Sequence, residues 1–127
     1  MKLEHIAFNV PDAKAHAKWY SDHLGMTIVR SADSAPFITF ISDGAGSLIE
    51  FYSNEAAATP DYKGMHPLIL HVAFSSEDLE ADIKRLEAAG ASHTGVIETI
   101  EGMHTFHILR DPWGLALQLI KRVNPLV

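Results

Sequence analysis

Four side chains able to hold a metal ion fall at matching places in the two halves of this chain. His5 lies in the apolar run LEHIAFNV and His71 in LILHVAF, 66 residues later. Glu50 lies in SLIEFY and Gln118 in LALQLIKR, 68 residues later. A carboxylate in the middle of an apolar strand is costly to bury unless it is paired or metal-bound. Two imidazoles and an amide oxygen could partner Glu50 through a shared divalent ion. Each residue alone has a plainer explanation. A single strand histidine is more often a hydrogen-bonded core or edge residue, Glu50 could face solvent, and Gln118 by itself signals nothing. The duplication is what favours one shared polar site where the two copies converge.

The same offset runs through the elements that must position these groups. Ile6, Ala7 and Phe8 match Val72, Ala73 and Phe74; Asp12 matches Asp78; Ala13, Ala17 and Tyr20 match Leu79, Ile83 and Leu86. Spacings of four and three residues put each trio on one helix face. Leu24-Gly25 and Ala89-Gly90 are expected to close the two helices, because glycine readily adopts the left-handed conformation. Asp43-Gly44-Ala45-Gly46 matches Asp111-Pro112-Trp113-Gly114, and both are turn sequences. The pattern predicts one βαβββ module used twice. Module one covers about residues 1–55, a polar linker with two prolines about 53–67, and module two about 68–122. Later strands are expected at 27–30, 36–42 and 48–52, and at 92–97, 104–109 and 115–121, all rich in β-branched and aromatic residues. The expected fold class is α+β: a cupped, barrel-like mixed sheet with helices outside, forming a single domain. Strands alternate faces, so His5 groups with Leu3 and Ala7, His71 with Ala73, Glu50 with Leu48 and Tyr52, and Gln118 with Ala116 and Ile120. The bulkier opposite faces, Ile6 with Phe8 and Val72 with Phe74, are expected to pack under the helices.

Composition narrows the function classes. The chain has 127 residues, 47% of them hydrophobic, enough for one core, whereas a module of about 55 residues would be marginal alone. A net charge of −6 without a basic cluster argues against a nucleic-acid partner, which needs clustered Lys and Arg. The absence of cysteine excludes a disulfide framework, a thiolate zinc site and a cysteine nucleophile. No apolar run approaches the roughly 20 residues of a membrane helix, and the start MKLEHIAFNV reads as a strand rather than a signal peptide. A cytoplasmic location with no membrane partner is the expectation. The glycines of DGAGS belong to a hairpin turn, since no Gly-Lys-Ser/Thr follows.

With these features in place, residues 3–122 resemble a single-domain member of the vicinal oxygen chelate superfamily, which includes glyoxalase I, bleomycin-resistance proteins, fosfomycin-resistance enzymes and extradiol dioxygenases. The resemblance rests on EHIAFNV, WYSDHLGM, LIEFY, LHVAF and FHILRDPWGLALQLI. It implies metal ligands on the first and last strand of each module, at His5, Glu50, His71 and Gln118. It also implies a divalent metal cofactor, Zn, Ni, Fe, Co or Mn. The last-strand position usually carries glutamate in catalytic members. Gln118 offers a carbonyl oxygen but cannot accept a proton. This departure weakens the case for dioxygenase or fosfomycin-type chemistry. The implied activity is a glyoxalase-like lyase or isomerase with Glu50 as the catalytic base.

The competing class is a metal-free small-molecule binding protein of the bleomycin-resistance type, gripping a flat or aromatic ligand. Its candidate wall residues are Phe40, Tyr52, His107 and Trp113, each also readable as core packing or, for Trp113, as a lid or dimer contact. His107 matches Thr39 of the first copy and is expected to face the cavity, opposite to His104. His16 and His23 are expected at the surface or in caps. Arg30, Lys63, Arg110 and Lys121 are scattered cations that form no clear anion clamp. A homodimer is expected, with the site either within one chain or shared across two.

Overall fold

The computed structural model describes residues 1–126. The chain divides into two compact units, Met1–Pro60 and Asp61–Val127, and the boundary falls inside the polar linker. No helix among the described residues is long and apolar enough to cross a membrane.

Unit one runs β1 (Ile6–Asn9), α1 (Ala13–His23), β2 (Thr27–Ser31), β3 (Thr39–Ser42) and β4 (Leu48–Tyr52). Unit two runs β5 (Val72–Ser75), α2 (Leu79–Ala88), β6 (Ser92–His93), β7 (Glu98–Ile100), β8 (His104–Arg110) and β9 (Ala116–Arg122). The strands form two mixed sheets, one per unit, and close no barrel. Their orders are β1-β4-β3-β2 and β5-β9-β8-β6, with β7 also pairing β8. In each sheet the first and last strands of the module pair in parallel and the rest are antiparallel.

The repeat holds at the level of individual hydrogen bonds. Asp12 and Asp78 cap the helices, accepting from Ala15 N–H at 2.9 Å and Ala81 N–H at 3.1 Å. Gly25 (φ 71°) and Gly90 (φ 99°) follow the helix ends in the left-handed conformation expected of them. Val10 N–H donates to Tyr52 O at 2.8 Å, and Ser76 N–H to Ile120 O at 2.9 Å. Asp43 Oδ1 accepts from Ala45 and Ser47 N–H, just as Asp111 Oδ1 accepts from Trp113 and Leu115 N–H.

Each helix covers one face of its own sheet, α1 on β2, β3 and β4, and α2 on β6, β8 and β9. The covered face of unit one is aromatic. Phe51 is fully buried and meets Phe8, Tyr20 and His16, whose ring stacks at 4.4 Å. His16 is therefore a core residue, not the surface or capping residue expected. The covered face of unit two is aliphatic, built from Leu86, Leu109, Leu117 and Leu119.

Three local expectations are corrected. Residues 36–42 do not form one strand: Phe37 takes φ 57°, its N–H closes a turn on Ser34 O at 2.8 Å, and β3 starts only at Thr39. Residues 92–97 do not form one strand either. Gly95 (φ 102°) breaks the run into β6 and a separate β7. Ile6 is 52% exposed although Phe8 is buried, because β1 is an edge strand that α1 covers poorly. Val72 and Phe74, on the edge strand β5, are only half-buried for the same reason.

Candidate functional site

Strand register decides which side chains share a surface. In unit one Glu50 pairs with Ala7 on β1 and with Phe40 on β3, so these three side chains lie on the face opposite α1. His5 precedes β1 by one residue, two before Ala7, and joins them. Its Nε2 lies 2.9 Å from Glu50 Oε2, and its ring meets Phe40 edge-on at 5.4 Å. Tyr52, two residues past Glu50, is half-buried on the same face. Phe40 is thus an open-face residue rather than a core one.

His5 is held between two carboxylates. Nδ1 contacts Glu4, and Nε2 contacts Glu50. The hydrogen bond to Glu4, followed by the charges of Glu4 and Glu50, raises the His5 pKa above its ordinary value against the opposing effect of burial. Neutral imidazole cannot donate from both nitrogens, so this arrangement calls for imidazolium. The Glu50 side chain is only 13% exposed and that of His5 34%, which places the pair at the wall of the open face and not in bulk water.

Unit two repeats the register. Gln118 pairs with Ala73 on β5 and with Ile108 on β8, and His71 precedes β5 by one residue. His71 differs from His5 in its partner: Nδ1 lies 2.8 Å from Pro67 O. A carbonyl accepts only, so Nδ1 carries a proton, and the tautomer this bond favours leaves Nε2 as the nitrogen that could face a metal.

Those registers place His107 on the wrong surface. It pairs with Leu119 and is fully buried on the α2-covered face, opposite Gln118. Its Nε2 lies 3.2 Å from His93 Nδ1. Its counterpart Thr39 pairs with Phe51 and is equally buried, so both copies carry a polar residue under the helix. The expected cavity role of His107 is corrected on this ground. The residue equivalent to Phe40 is Ile108, and Phe106 and His104 lie on Gln118's face beside it. Counting from Gln118 across the β8–β9 hairpin, rather than from the other copy, is the signal that finds them. Trp113 sits half-buried in the turn before β9, its N–H bonded to Asp111 at 3.0 Å. Of the scattered cations, Lys121 is spent on Glu77 O, and Arg110 on three backbone carbonyls.

The donor chemistry in unit one fits a divalent ion. His5 and Glu50 are both donor types that a divalent ion takes, and they meet at 2.9 Å through the His5 Nε2 proton, which a cation would have to replace. Among the described residues, no group of three or more His, Cys, Asp or Glu side chains is gathered as a metal site. Unit one thus brings two donors together, and unit two presents His71 and Gln118 at the equivalent register positions.

Known proteins match this architecture. The chain is 28% identical to the anthracycline biosynthesis protein DnrV of Streptomyces peucetius over 88% of its own length and 44% of that protein, so it spans less than half of that relative. A glyoxalase family protein from Bacillus cereus superposes with a TM-score of 0.81 at 15% identity, covering 98% of this chain and 95% of that one. An antibiotic binding protein from Streptomyces sp. CB03234, TnmS3, superposes with a TM-score of 0.70 at 17% identity, covering 96% of each chain. The model of the Glyoxalase/Bleomycin resistance protein/Dioxygenase superfamily matches residues 2–119, nearly the whole length, and the chain belongs to that superfamily.

Proposed function

We propose that this protein is a glyoxalase-like, metal-dependent lyase or isomerase that acts on a small oxygen-chelating substrate. The observation that carries this reading is the His5–Glu50 pair at 2.9 Å on the open sheet face, repeated in register by His71 and Gln118. On this reading the two units work as one domain, and His5, Glu50, His71 and Gln118 hold one ion. A divalent ion held there supplies Lewis-acid polarisation of a substrate carbonyl. Glu50 is the only carboxylate of the four and takes the proton next to that carbonyl, the C–H electron pair forming a C=C bond as the carbonyl π pair moves onto oxygen. The same carboxyl returns the proton to the former carbonyl carbon, while the hydroxyl proton of the first carbon passes to the neighbouring oxygen and that carbon becomes the new carbonyl, which completes an isomerisation without net change in charge. Gln118 binds without exchanging protons, and Phe40 and Tyr52 shield the pair from water. The chain acts as a homodimer in the cytoplasm.

The test is elemental analysis of the purified protein together with turnover of the hemithioacetal of methylglyoxal. Glu50→Gln is expected to lower kcat by about 10²–10⁴, the usual contribution of a positioned base. A metal-free protein whose turnover is indifferent to Glu50→Gln sinks the proposal.

One observation favours a second reading, metal-free binding of a flat ligand. Phe40 and Tyr52 put two aromatic rings on one sheet face of unit one, and the similar proteins include one named for antibiotic binding and one named for anthracycline biosynthesis. An anthracycline that binds the metal-free chain, with affinity lost in Phe40→Ala and no turnover, would establish this alternative.

A further inference from the structure

We infer that Arg110 is a positioning residue for His71, acting through the segment Tyr62–Pro67. The inference rests on the reading of His71 as a ligand. Arg110, the last residue of β8, donates from Nη1 to Tyr62 O at 2.8 Å and to Gly114 O at 2.9 Å. Its Nη2 donates to Met65 O at 2.8 Å. One rigid planar fork thus ties two carbonyls of the 62–65 segment to the turn before β9.

The segment has little freedom beyond that clamp. Met65 N–H is bonded back to Asp61 O, and Ile69 N–H to His66 O. Leu68 N–H donates to His66 Nδ1 at 3.2 Å. Pro67, between them, has a restricted φ. Its carbonyl is the group that holds His71 Nδ1. The position of Pro67 O, and with it the tautomer and direction of the His71 ring, therefore depends on where Arg110 holds Tyr62 and Met65. The other side of the clamp is equally tight. A Cβ at Gly114 (φ 97°) would stand 2.7–2.8 Å from Lys63 N, Cα and Cβ, so only glycine lets the two backbones approach.

The fold alone does not require this arginine. The equivalent residue of the first module is Ser42, whose hydroxyl only accepts a bond from Gly44 N–H at 3.0 Å. That module builds the same hairpin and the same aspartate-anchored turn without a clamp. The arginine appears in the module whose histidine takes its orientation from the backbone, and a serine in the module whose histidine takes it from Glu4 and Glu50.

The experiment is ¹⁵N NMR of the histidine rings in the metal-free full chain, at a pH well above the ordinary imidazole value of about 6.5. Wild type is compared with Arg110→Ser, and His71→Gln assigns the signal. Wild type is expected to show His71 with its proton on Nδ1 and a bare Nε2. Arg110→Ser is expected to show the mixed tautomers of a free imidazole, with the backbone spectrum of α2 and β9 retained. Zn²⁺ affinity measured by calorimetry should fall by about 10- to 100-fold, the usual effect of losing an outer-shell partner. If Arg110→Ser does not fold, Arg110→Lys keeps the charge without the fork and carries the same expectation. A His71 signal unchanged by the substitution, or a wild-type ring protonated on Nε2, overturns the inference. If wild type takes up no Zn²⁺, the proposed metal function fails, while the tautomer comparison still decides the role of Arg110.

Discussion

The two modules share a backbone plan and differ in how each treats the histidine ahead of its first strand. In the first, His5 is flanked by charge, with Glu4 on one ring nitrogen and Glu50 on the other. In the second, His71 is held by a carbonyl, and the position equivalent to Glu50 carries the neutral Gln118, paired with Ala73. The helix-covered faces differ as well: a ring cluster around Phe51 in the first, leucines around Leu119 in the second. Duplication has preserved caps, turns and strand pairing, which are backbone properties. It has not preserved the chemistry presented on that backbone. The first module presents a charged pair and the second a carbonyl-held histidine and an amide.

Core substitutions break the comparison most forcefully. Phe51→Ala removes the ring at the centre of the aromatic cluster and should cost about 3–5 kcal/mol in urea denaturation; Leu119→Ala, at the matching position, should cost about 2–5 kcal/mol. If the two modules unfold together, both losses appear in one transition. Two transitions, each sensitive to one substitution, would show that the modules are energetically separate.

The turn aspartates give a smaller contrast. Asp111 is buried, and Asp111→Ala leaves two N–H groups near or within the core without an acceptor, at about 1–3 kcal/mol for each group that water cannot reach. Asp43 makes the same two bonds in an exposed turn, where water replaces it, so Asp43→Ala should cost about 1 kcal/mol or less. Equal losses at the two positions would contradict the difference in burial.

The smallest effect is in pH. His5 has a raised folded pKa, so its ion pairing stabilises fully below the unfolded value of about 6.5 and is lost as pH rises through the folded value. The stability difference between wild type and Glu50→Gln should therefore shrink as pH is raised from slightly acid to alkaline. A difference that grows with pH would show that the pair is not charged in this way. The same proton must leave before a cation can take Nε2, so metal affinity should rise over that pH range.

Much of this was legible from spacing. The offsets of 66 and 68 residues located both N-caps, both glycine helix ends and both aspartate turns, because each is a short-range hydrogen-bond pattern written in a few consecutive residues. The grouping of His5 with Glu50 followed from the duplication and the family resemblance, with alternation fixing only which neighbours share each residue's face. What matching the two copies could not supply was which face of a strand the helix covers. His107 was assigned to the cavity by analogy with Thr39, yet both lie under a helix, since the face of β8 is set by its pairing with Leu119. His16 was placed at the surface or in a cap because a histidine on a helix carries no mark of a ring stacked below it. The breaks at Phe37 and Gly95 depend on backbone conformations that β-propensity does not register.

The central claim is that donors from both modules serve one ion. It is tested most directly by Zn²⁺ calorimetry on wild type, His5→Ala and His71→Ala under identical conditions. The account predicts one ion per chain in wild type and a marked loss of affinity from either substitution alone. A wild type that binds no ion, or one whose binding His71→Ala leaves untouched, would contradict it.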